Sequence, residues 1–128
     1  MSLTREVVER YNLDLWNHQR FEIAPEIIGA QLVRNSPGHR EVLSRAEAVD
    51  RIRRLWSTVE HVEFTLLHTI VHNDLCTIVY QADVRNHDGT RDAIASIEVF
   101  RVVDGRIVEV WNNTHDHGWW PEATGLKP

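Results

Sequence analysis

The stretch ASIEVFRVVDGRIVEVWNN, Ala95 to Asn113, decides the fold of this 128-residue chain. Two alternating apolar runs meet at Asp104-Gly105, and such a dipeptide between such runs is the strongest short-range signal for a β-hairpin. A three-residue loop, Val103-Asp104-Gly105, with Gly105 left-handed pairs Glu98 with Val110 and Ser96 with Asn112. A two-residue loop pairs Glu98 with Trp111 instead. The three-residue loop is the expected one, and it sets Asn112 on the face that carries Ser96 and Glu98.

Outward from the hairpin, Asn86 to Gly89 is loop chemistry, and Leu75 to Arg85 is the next strand upstream. Asn73-Asp74 turns the chain back to a strand beginning at His61, with Val62, Phe64, Leu66, His68, Ile70 and His72 on one face. Ser44 followed by Glu47 is a capping box for a helix whose stripe is Val49, Ile52, Leu55, Trp56 and Val59. Ser36-Pro37-Gly38 breaks the chain after a strand over Ala30 to Asn35. Before it, Phe21 to Gly29 suits a short helix around Pro25 ended by Gly29. Leu3, Val7, Val8, Tyr11 and Leu15 recur at helical spacing, which predicts a first helix over about residues 4 to 17. Helices segregated beside a run of antiparallel strands define the α+β class. Several strands carry apolar residues on both faces, so a second subunit is expected to cover the outer one.

With 42% hydrophobic and 26% charged residues, 128 residues suffice for one ordinary core. A formal charge of -5 argues against a nucleic-acid surface, and Arg51, Arg53 and Arg54 read as a solvated helix face. The lone Cys76 cannot form an internal disulfide, and it reads as buried. No apolar run approaches the roughly 20 residues of a membrane span, and Arg5, Glu6 and Glu9 are unlike a signal peptide, so a cytoplasmic setting is expected.

The layout, and VFRVVDGRIVEVWNN above all, resembles the nuclear transport factor 2-like superfamily in its SnoaL-like branch. The resemblance covers nearly the whole chain and implies one domain, residues 1–128. It implies a cone in which three N-terminal helices pack on a curved, mainly antiparallel sheet around a mostly apolar pocket. Dimers across the outer sheet face are common in the family, so a homodimer is expected. The ligand implied is a small hydrophobic or polycyclic molecule, with no cofactor and no metal. The superfamily holds cyclases, isomerases, dehydratases and hydrolases that move protons, and also noncatalytic binding modules, so both classes stay open.

In cyclase and epoxide hydrolase relatives a carboxylate on the final strand transfers the proton, and that position here is Asn112. An amide cannot take a proton, but it can hold an oxygen. Asp83, on the preceding long strand with Gln81 on the same face, is a second catalytic candidate if it faces the pocket; otherwise it is a surface residue or a partner of Arg85 or Arg91. Glu98 interrupts an apolar strand and is either inward and functional or on the wetter face. Tyr11, Trp16, Trp56, Phe64 and Phe100 are candidates to line the cavity, with Trp111 beside them; aromatic residues at such spacing are core first. His115 is placed at the pocket mouth. His68 and His72 would stand roughly 13 Å apart along a strand, too far to share a metal ion. Trp119 and Trp120 are read as a lid or as a dimer contact.

Overall fold

The computed structural model describes residues 3–113 and 116–121, Asp116 by its backbone alone. The first helix runs as α1, Leu3–Glu9, and continues with π-helical hydrogen bonding over Arg10–Trp16. Its buried residues come in pairs every four positions: Val7 and Val8, Tyr11 and Asn12, Leu15 and Trp16. A four-residue repeat overshoots a 3.6-residue turn by about 40° each time. The wider π turns absorb that overshoot and keep all three pairs on the core.

A 3₁₀ turn at Phe21–Ile23 leads into α2, Ala24–Ile27, and then into β1, Ile28–Ser36. Gly29 therefore does not cap a helix. It lies in β1, where a Cβ would stand 3.1 Å from the Gln31 carbonyl oxygen and 3.2 Å from Val108 Cγ1. β2, His39–Ser44, returns along β1 across a turn at Gly38. No strand is expected over these residues from their largely polar pattern, because an edge strand leaves most of its side chains in water. α3, Arg45–Thr58, starts at the anticipated capping box: Ser44 Oγ accepts from the Glu47 amide at 3.1 Å, and Glu47 Oε1 accepts from the Ser44 amide at 2.9 Å. Ile52 on its inner face is wholly buried, which stabilises the fold by about 1.5–3 kcal/mol.

Four further strands complete the main sheet: β3, His61–His72; β4, Leu75–Arg85; β5, Arg91–Val103; and β6, Arg106–Asn112. Strand order is β2-β1-β6-β5-β4-β3, and short β7, Asp116–His117, pairs with β5. Every ladder is antiparallel except β1 with β6. Alternate residues of β4 and β5 face the helices, Ile78 and Tyr80 on one strand and Ser96, Glu98 and Phe100 on the other.

Two bulges correct the expected registers. The β5–β6 turn is the two-residue kind, since Asp104 and Gly105 both have positive φ, 50° and 75°, and Val103 pairs with Arg106. Val108 is then an extra residue, so beyond it Arg101 pairs with Glu109 and Glu98 with Asn112. Asn112 thus shares a face with Ser96 and Glu98, as expected, but through neither anticipated pairing. In β3 the bulge falls at Leu67: Leu66 pairs with Tyr80 and His68 with Val79. Val62, Phe64 and Leu66 turn inward, while His68, Ile70 and His72 turn to the outer face, so the six do not share one side.

The outer face carries an apolar centre. Ile70 is 61% exposed and Ile97 50% exposed, beside Val79, Val99 and Trp111. Across one end of this face the tail closes back, Trp119 Nε1 donating to Asp83 Oδ1 at 2.7 Å and Trp120 Nε1 to the Tyr80 carbonyl at 2.8 Å. It lies on the side of the sheet away from the helices. Among the described residues no helix is long and apolar enough to cross a membrane.

Candidate functional site

Between the first helix, α3 and the inner face of β3–β5 lies a cavity of about 120 Å³. Aromatic rings make much of its wall. Trp16 and Phe64 approach to 4.9 Å between centroids, and Phe64 stacks on Tyr80 at 5.3 Å. Asn17 clamps Phe64 from the end of the helix, donating to its carbonyl at 3.0 Å and accepting from its amide at 2.6 Å. This wall is therefore fixed at the backbone as well as by packing. Leu55, Val62, Ala82 and Ile94 supply the aliphatic remainder, and Asn12, Arg34, Arg51 and Glu98 the polar groups.

Glu98 is the chemical centre of the cavity. It projects inward from β5, is buried, and has its proton affinity pushed up to about 7 from an ordinary value of 4.5. Burial is the cause; Arg34, Arg51 and the hydrogen bond from Asn112 pull the other way without cancelling it. Asn112 stands opposite on β6 and is also buried. Its Nδ2 donates to Glu98 Oε2 and makes a longer contact of 3.5 Å with the Tyr80 hydroxyl. Its Oδ1 accepts from Ser96 Oγ at 2.8 Å. The amide is thus committed on both ends, so Asn112 orients Glu98 and has no spare donor for a substrate oxygen. Burial pushes Tyr80 up to about 12 and raises Tyr11 as well, so both phenols keep their protons at neutral pH.

The structure separates the other candidates. Tyr11, Trp16 and Phe64 line the cavity. Trp56 does not; its Nε1 donates to the Trp16 carbonyl at 3.0 Å and so braces the wall from behind. Phe100 is wholly buried in the core, edge-on to Tyr11 at 5.6 Å. Trp111 lies on the outer face under the Arg101 guanidinium. Asp83 and Gln81 occupy the outer parity of β4, where Asp83 is exposed and accepts from Gln81 Nε2 at 3.3 Å and from Trp119. Strand alternation takes Asp83 away from the cavity that holds Ala82 and Tyr80, so a catalytic role for it is withdrawn. Trp119 and Trp120 close on that same outer side and are no lid. His115 lies outside the described residues. Among those residues no group of three or more His, Cys, Asp or Glu is arranged to hold a metal ion.

Sequence reasoning missed four polar members, among them buried Asn12 on the first helix, whose Nδ2 donates to the Val8 carbonyl at 2.9 Å. Arg51 was expected on a solvated face, yet it lines the cavity, and burial lowers its pKa. Of its two neighbours, Arg53 lies over the Phe21 ring at 4.8 Å and Arg54 is exposed. Position 51 falls one residue before buried Ile52 on the helix, a signal that it borders the core. Arg34 from β1 and Tyr80 from β4 were read only as strand residues.

A SnoaL-like domain is matched by residues 8–110 of the chain. Its fold is similar to that of a SnoaL-like polyketide cyclase from Agrobacterium tumefaciens, with 14% sequence identity over 91% of this chain and 93% of that one and a TM-score of 0.74. It is also similar to an LEH-like epoxide hydrolase of M. tuberculosis, with 18% identity over 89% and 83% and a TM-score of 0.73. None of the curated proteins matches the chain.

Proposed function

The chain belongs to the SnoaL-like family, and on that premise we propose that it moves a proton within a small apolar molecule held in the cavity, with Glu98 as the acid–base group. The observation that carries this reading is a buried carboxyl group in an aromatic cavity whose proton affinity sits near 7. An acid–base group is most effective when its pKa lies near the working pH. As carboxylate, Glu98 takes a proton from carbon beside a carbonyl; as acid, it returns that proton to the resulting enol or enolate at the same or a neighbouring carbon. The Tyr80 hydroxyl, which stays protonated, is the donor for the oxygen on which charge develops. Asn112 is a positioning residue, holding one Glu98 oxygen so that the other is presented to the cavity.

Size narrows the class of molecule. A cavity of about 120 Å³ is in the range that takes a single benzene ring and below the 300–1,000 Å³ of drug-sized sites. A monocyclic substrate suits it better than a polycyclic one. The outer apolar centre at Ile70 and Ile97 supports a homodimer across that face, and a cytoplasmic setting suits the buried thiol of Cys76.

Deuterium exchange into cyclohexanone in heavy water, followed by NMR, tests the proton transfer. The wild-type protein should speed exchange above buffer, and Glu98→Gln should reduce the enzymatic rate about a hundredfold or more. Exchange that survives in Glu98→Gln would remove Glu98 from the reaction. A wild-type rate equal to buffer would favour the second reading, a noncatalytic binding module, for which the neutral Asn112 at the family's carboxylate position is the supporting observation.

A further inference from the structure

Two guanidinium groups form the cationic side of the cavity. Arg34 comes from β1 and Arg51 from α3; both are half-buried, and both border the cavity and the shallow basin outside it that Asn35, Ser36, His39, Glu41, Asn112 and Asn113 line. Neither makes a side-chain hydrogen bond or ion pair with a described residue. Glu41 stands opposite Arg34 on β2, with one carboxylate oxygen 3.7 Å from His39 Nε2, and its charge also acts on Arg51. Glu98 offers at most one negative charge, is protonated part of the time near neutral pH, and is already engaged by Asn112. Inside the cavity the two half-buried cations thus face one titrating acid, while Glu41 acts on Arg51 from the outer basin. An arrangement of that kind is costly unless a further anion completes it.

We propose that Arg34 and Arg51 are the carboxylate-binding subsite of the cavity, and that its ligand is a small acid with one apolar ring. The ring lies against Trp16, Phe64 and Tyr80, and the carboxylate sits between the two guanidinium groups at the boundary with the outer basin. A planar carboxylate matches the fork of an Arg side chain, and its single charge is repelled by Glu98 less than a phosphate dianion would be. The subsite also fixes orientation: it tethers one end of the substrate at the mouth and leaves the ring and its nearest substituents beside Glu98. This names the substrate class for the reading above. It rests on the same cavity being the ligand site and is independent of whether Glu98 acts as a base.

The test is isothermal titration of the full chain with benzoate and with benzamide, its uncharged isostere, for wild type, Arg34→Gln, Arg51→Gln and Glu98→Gln. Wild type should bind benzoate about tenfold or more tightly than benzamide, and each Arg→Gln change should remove most of that preference. Arg51→Lys, which keeps the charge and loses the fork, should retain part of it and guards against a folding defect in the glutamine variant. Glu98→Gln should keep or sharpen the preference, since it removes a repelling charge. Equal binding of the two probes by wild type, a preference undiminished in both Arg→Gln variants, or failure of both probes to bind at millimolar concentration would each overturn the proposal. Benzoate preference in a protein that shows no deuterium exchange would retain this subsite and discard the proton transfer.

Discussion

Asn112 and Glu98 face each other directly across the β5–β6 ladder, and the amide of one donates to the carboxylate of the other. The resemblance to cyclases and hydrolases implies an acid at that place. Here the pairing gives one titrating group and one neutral support, so the charge state of the cavity turns on Glu98 with Arg34 and Arg51 around it.

Glu98 should make stability depend on pH in a particular direction. Its folded-state proton affinity, about 7, lies above the ordinary 4.5, so the folded state holds the proton more tightly. The stabilisation is complete below about 4.5 and is lost as pH rises through about 7. The groups that surround it are Arg34, Arg51, Tyr11 and Tyr80, and burial keeps both phenols protonated through that window. Glu98→Gln removes the dependence, so wild type should lose stability relative to the variant by about 1–3 kcal/mol between pH 5 and pH 8. Urea denaturation of both proteins at the two pH values measures this; parallel curves would contradict it.

Restoring an acid with Asn112→Asp places two buried carboxyl groups side by side. Like charges in such a site resist joint ionisation, and the donor to Glu98 is gone. The variant should be less stable than wild type by about 2–4 kcal/mol at pH 8, with a smaller deficit at pH 5, where one proton can be shared. An equal deficit at both values would assign the effect to packing instead.

At Gly29 the close approach of β1 to the bulged part of β6 would hold an added Cβ in contacts of 3.1 and 3.2 Å, tighter than ordinary packing. Gly29→Ala should cost about 1–3 kcal/mol through overpacking against the Gln31 carbonyl and Val108. A thermal midpoint unchanged from wild type would show that β1 can shift to make space.

The outer face can be read by its oligomeric state. Sedimentation at micromolar concentration should show a dimer for wild type and a monomer for Ile97→Lys, since Ile97 lies at the apolar centre. A monomeric wild type would defeat the idea outright.

What the sequence made legible was local. Asp104-Gly105 specified a hairpin and Ser44 with Glu47 a helix start, because each signal acts within a few residues. The bulges at Val108 and Leu67 depend on which strand lies alongside, so no pattern within one strand announced them. Asp83 illustrates a readable parity that went unused: Ile78, Tyr80 and Val84 are inward on β4, which already puts residue 83 outside. Arg34 and Arg51 could not be joined from sequence, since only the packing of α3 across β1 brings them to one cavity.

The additional residue at Val108 has a consequence for how this hairpin can vary. Strand phase is carried from the turn to Asn112 over seven residues, roughly 20 Å. Without the offset, an indole would stand where the supporting amide now does, and the amide would look out toward solvent. The solvent-facing turn and the chemistry at the far end are thereby uncoupled: a one-residue slip at one end can be taken up midway, and the turn is free to change while the acid keeps its partner.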